Sequence, residues 1–164
     1  VKALIVLTVS LVSSILITGL FSLSLLATAG EIEVYHNWES ITQNNGIAAY
    51  AKSGNRYISL SCRNKEKYRF FILANDIIHN PNTEVTAVFT ISGNKYEMIG
   101  TVGKKGDTLH IKLPMGQNDI VDAMKRGTKL KVYIPVVSGV YPVDQTFSLH
   151  GFTKASQSVI EGCQ

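Results

Sequence analysis

Cysteine and histidine are scarce, at two and four in 164 residues. That scarcity removes most metal and thiol chemistry from consideration. His36, His79, His110 and His150 form none of the H-x-x-H, H-x-x-x-H or H-E-x-x-H spacings that close a zinc site, so no metal ligand is expected. There is no G-x-S-x-G turn and no phosphate-cradling glycine loop. One S-x-x-K match, Ser92 to Lys95, falls in a turn and lacks its S-D-N and K-T-G companions. No nucleic-acid motif is present, and no repeat, low-complexity run or long linker interrupts the chain.

Charge is missing altogether from Ala3 to Ala29, behind the single cation Lys2. Small residues at Ala27 and Ala29, followed by Gly30, fit the A-x-A pattern of a secretory cleavage site between Ala29 and Gly30. The apolar run is also long enough to span a bilayer, so two readings stand: a cleaved signal peptide over 1–29, or an anchor through residues 3–29. Both put the rest across the membrane from the cytoplasm, and Lys2 agrees with the positive-inside rule. With no cysteine near the cleavage site, a lipid anchor is not expected.

Beyond the leader, a polar segment over 30–45 is expected to be irregular, with Trp38 anchoring it to one β-domain over 46–164. About 135 residues suffice for one core. Over the whole chain sixteen basic against twelve acidic residues leave a net charge of +4, of which Lys2 of the leader supplies one, a mild excess that reads as solvated surface. Arg63, Lys65, Lys67 and Arg69 alternate and mark a wet strand face.

Period-two alternation recurs along the domain. Ile58, Leu60 and Cys62 share one face, as do Val85, Ala87, Phe89 and Ile91, then Leu109, Ile111 and Leu113, then Leu130, Val132 and Ile134. Ser92-Gly93-Asn94 predicts a tight hairpin turn. Gln117 to Arg126 predicts a helix stopped by Gly127, and Gly151 to Cys163 a second, with Phe152, Ala155, Ser156, Val159 and Cys163 on one face. The count is about eight strands and two short helices, mainly β: an antiparallel sandwich or a curled sheet.

In an oxidising compartment an even cysteine count suggests a disulfide, and two cysteines allow one intramolecular pair, Cys62 with Cys163. Such a bridge closes a loop of about 100 residues, worth roughly 4–5 kcal/mol at most. Two reduced, buried thiols are the alternative. Asp119 and Asp122 suit the positive end of a helix rather than an acid–base pair. A hydrolase would need His79 or His110 gathered with Asp76 or Asp107. Trp38, Tyr133 and Tyr141 could line a ligand surface, although such rings in a small β-domain more often belong to the core or its rim.

The segment Ile58-Ser-Leu-Ser-Cys62 and the ending from Thr146-Phe-Ser-Leu-His-Gly-Phe through Ala155 to Cys163 resemble two groups of proteins. These are the VasI/TagO-like accessory proteins of type VI secretion and the invasion-associated locus B family. The resemblance spans about residues 45–164. It implies a secreted or periplasmic β-sandwich of a Gram-negative bacterium with Cys62 bridged to Cys163, and carries over no catalytic residue. The reading is therefore an exported, non-enzymatic envelope protein without a cofactor, working through a protein partner and not nucleic acid. A periplasmic small-molecule or glycan-binding module is the alternative.

Overall fold

The computed structural model describes residues 31–63, 68–74, 80–114, 116–135 and 142–162. Ten strands run in chain order: β1 (Glu31–Tyr35), β2 (Trp38–Gln43), β3 (Gly46–Ser53), β4 (Arg56–Arg63), β5 (Tyr68–Ala74), β6 (Glu84–Ile91), β7 (Asn94–Val102), β8 (Thr108–Pro114), β9 (Lys129–Ile134) and β10 (Val143–Ser148). Helix α1 (Asp119–Arg126) lies between β8 and β9, and α2 (Phe152–Gly162) follows β10. The strands form one antiparallel sheet in the order β1-β2-β3-β4-β5-β8-β7-β6-β9-β10.

Alternation builds these strands. On β4, β6, β8 and β9 every second residue is buried and its neighbours face outward. The β6–β7 hairpin turns on Ser92 and Gly93, both at positive φ (50° and 84°), with Ile91 opposite Asn94. That is the type I′ geometry whose twist matches two right-handed strands. Helix α1 buries Ile120, Val121, Ala123 and Met124 and ends where the Gly127 N–H donates to the Ala123 carbonyl. Helix α2 lays Phe152, Ala155, Ser156 and Val159 against β1 to β4.

The sheet curls on itself, so that strands far apart in its order come into contact. Residues of β2, β3 and β4 meet β10 and the segment that follows it. The Trp38 indole N–H donates to the Ser148 carbonyl at 2.7 Å, and the Asn37 N–H to the His150 carbonyl at 3.2 Å. The Gln145 amide donates to the Ser53 hydroxyl at 2.6 Å and accepts from Arg56 at 3.0 Å. Gly151, at φ +99°, sits so close to β1 that an added Cβ would lie 1.8 Å from the Tyr35 carbonyl oxygen. Inside the curl, Trp38 meets Phe152 edge-on at 4.8 Å and Phe71 meets Phe89 at 5.5 Å. Burying each such ring contributes about 1.5–3 kcal/mol.

Three expectations are corrected. The mainly β, antiparallel class holds, but among the described residues there are ten strands in one sheet, not about eight. The supposedly irregular segment 30–45 supplies two of them. Glu31, Ile32, Glu33 and Val34 on β1 are all exposed, so no inside–outside pattern marks that strand. On β2 the inward position after Trp38 is Ser40, a polar residue satisfied by the Ser158 hydroxyl of α2 at 2.8 Å. Arg69 does not mark a wet face. It shares parity with Phe71 and Leu73, points inward and is only 3% exposed. Lys65 and Lys67 lie outside the described residues, as do residues 1–30 with the Ala29–Gly30 site.

Candidate functional site

Arg69 reaches from the inner face of β5 to the start of α1, where its guanidinium donates to Asn118 Oδ1. Asn118 is the N-cap residue, yet its side chain makes no capping bond to α1. The buried Nε of Arg69 has no hydrogen-bond partner. Burial pulls the Arg69 pKa below its ordinary value, and the charge of Asp122 opposes that shift. Asp122 also pairs with Lys125 at 3.6 Å, and both Asp119 and Asp122 lie in the first turn, where they favour the helix dipole.

Beside this junction the sheet opens. The ladder between β7 and β8 holds only two pairs, Thr101↔His110 and Val102↔Leu109. Continued in register, it would match Ile99 with Lys112 and Glu97 with Pro114, but no such pairs form. The strands instead border a cleft of about 580 Å³. Tyr96, Glu97, Met98 and Ile99 form one wall, Ile111, Lys112 and Pro114 the other, and Asp119 and Ile120 stand at its end.

The backbone direction at this seam follows from the hairpin. A two-residue turn makes Ile91 and Asn94 a hydrogen-bonded pair, so Asn94, Tyr96, Met98 and Gly100 turn their peptide groups toward β6. Val102 agrees, since it bonds to Thr83 and Asn82 on that side at 2.9 Å. Lys95, Glu97 and Ile99 therefore turn theirs into the seam. Inner-face residues of β6 and β8 are buried, whereas Tyr96 and Met98 are only half-buried. Ile99, facing outward, is 68% exposed. Pro114 is the one signal of this opening in the sequence: proline is tolerated in a strand where its missing N–H faces no ladder partner.

The candidates read from sequence are not gathered there. Trp38 is fully buried on the inner face of β2, and Tyr133 is 41% exposed on the outer face of β9, so these two do not share a surface. Tyr141 lies outside the described residues. Cys62 is buried on β4, with Sγ 3.9 Å from the Val159 carbonyl of α2; Cys163 lies outside the described residues. His110 bonds to Thr108 at 3.0 Å. His36 stacks on His150 with ring centroids 3.7 Å apart, where the β1–β2 turn meets the start of α2. His79 and Asp76 are outside the described residues. Among the described residues, no three His, Cys, Asp or Glu side chains gather to hold a metal ion.

Comparison with solved structures shows a likeness in fold. A crystal structure of invasion associated protein B from Bartonella henselae superposes with a TM-score of 0.58 at 16% sequence identity, covering 80% of this chain and 96% of that one. The two share a fold. At this identity the likeness reaches no further than architecture. No family model matches the chain, and no curated protein matches it. No described helix is long and apolar enough to cross a membrane.

Proposed function

We propose that this is an exported, non-enzymatic protein of the bacterial envelope that acts through protein contacts in host interaction. The observation that carries the reading is the shared fold with invasion associated protein B. The uncharged leader before Gly30 supports export. Within the same reading, Cys62 pairs with Cys163. Cys62 already lies against Val159, and Cys163 is four residues further on, the spacing that returns to one helix face.

The test is fractionation of a cell expressing the full chain, followed by intact mass with and without reductant and a thiol label. The expected result is recovery outside the cytoplasm, with two labels added only after reduction. Cytoplasmic retention sinks export, and labelling without reductant sinks the disulfide. Photo-crosslinkers at the exposed outer-face residues Tyr57 and Tyr133 should then capture the same partner reproducibly. Failure at both, alongside a correctly exported protein, would overturn the contact reading.

A further inference from the structure

We propose that the open seam between β7 and β8 receives one extended segment of a partner polypeptide as an added strand. This rests on the reading of the protein as one that works through protein contacts, and it names where and with what chemistry. The peptide groups of Lys95, Glu97 and Ile99 turn away from β6 toward a place where β8 has diverged. A strand edge of this kind is satisfied by another extended backbone, which supplies donors and acceptors at the same alternating spacing. The walls specify the side chains. Facing inward, the added strand meets Tyr96, Met98 and Ile120, so alternate positions are apolar. Between them, the carboxylates of Glu97 and Asp119 border the cleft, with Lys112 across from them, so the intervening positions favour lysine or arginine near Glu97.

Proline at 114 fits the same arrangement. Position 114 falls opposite Glu97 if the β7–β8 register is extended, and a proline there cannot donate into a ladder. Pro114 thus removes one of the donors that a closed seam would use. Ile99, the most exposed large apolar side chain among those described, flanks the edge and is partly covered once a strand lies beside it.

The probe is a labelled peptide of about eight residues, the length of a long strand, alternating valine with lysine and threonine. A second peptide of the same composition, with its valines in one block, is the control. Binding is followed by anisotropy and by residue-resolved amide exchange on the full protein. In the free protein, the amides of Lys95, Glu97 and Ile99 should exchange much faster than those of Tyr96 and Met98, which bond to β6. The alternating peptide should slow the first set by at least about tenfold, and the control should not. Glu97→Lys, at an exposed position, should weaken binding of the lysine-bearing peptide at least about tenfold with folding unchanged. Ile99→Pro should abolish binding by removing a seam-facing N–H. If that variant does not fold, Glu97→Lys and the exchange pattern still decide the matter.

Equal protection of both amide sets in the free protein would mean that the seam is closed, and would overturn the proposal. So would protection appearing at β1 or β10 instead, or nowhere. Protection that rises with the concentration of the protein itself would assign the seam to a second copy, and overturns it too. Partner capture at Tyr57 or Tyr133 that persists in Glu97→Lys and Ile99→Pro would leave the contact reading standing while removing the seam from it.

Discussion

Arg69 brings a charged side chain into a layer shared with Phe71, Leu73 and Leu113, and among the described residues the Asn118 side-chain oxygen accepts from it. Removing that oxygen takes a charge-assisted hydrogen bond from the buried cation, whereas removing the cation leaves no charge to satisfy. Asn118→Ala is expected to lower stability by about 1.5–3 kcal/mol in urea unfolding. Arg69→Met, which keeps the volume, should stay within about 1 kcal/mol of the parent or exceed it. Its charge and its two-residue spacing from Arg63, Lys65 and Lys67 argued for outside, and the structure puts it inside with Phe71 and Leu73; the partner it finds there lies 49 residues away on another element. Tyr50 has a local counterpart. Its hydroxyl donates to Glu39 directly across the β2–β3 ladder. That bond, then burial, then the charge of Glu39 push its pKa from 10.0 up to about 12. A group whose folded pKa is raised stabilises fully below its unfolded value and loses that contribution as pH climbs through the folded one. Stability should therefore decline between about pH 10 and 12, and Tyr50→Phe should remove that part of the decline. Ultraviolet titration of the variant should lack one late-ionising tyrosine.

Turns and strand faces are the parts of these elements that sequence exposes most directly. The β6–β7 turn was legible because Ser-Gly-Asn leaves the backbone little choice, and the structure puts Ser92 at φ 50°. Serine holds that left-handed position at a cost that asparagine largely avoids. Ser92→Asn should raise stability by up to about 1 kcal/mol, read as a rise of a few degrees in Tm. Both helices were legible from their buried faces, and α1 ends at Gly127 as expected. What escaped were elements whose burial does not alternate with hydrophobicity. Strand β1 is exposed on both faces, and β2 hides its inward Ser40 behind a serine partner 118 residues away. The cleft escaped for a related reason. A strand that loses its neighbour keeps its own period, so the residues of β7 carry no mark of the opening, and Pro114 is equally compatible with the plain end of a strand.

At the scale of the molecule, hairpins follow from local turns, but the order of strands does not. The joins β5–β8 and β6–β9 skip over intervening elements, and nothing in the alternation specifies them. Closure of the curl is equally non-local and depends on close approach at one glycine. Gly151→Ala combines a positive φ with a methyl group driven against Tyr35, and should cost well over about 1 kcal/mol in thermal unfolding. The same variant should accelerate amide exchange at Asn37, whose N–H bonds across the closure to His150. The closure also sets an order of events during synthesis. Trp38 leaves the ribosome early, but its hydrogen-bond acceptor is Ser148 and its covering ring is Phe152. A chain emerging from its amino end cannot complete this core until those late residues have followed, so most of it is made before the first strands can be sealed. Until then the first strands remain open chain, the only form that can be threaded through a narrow pore.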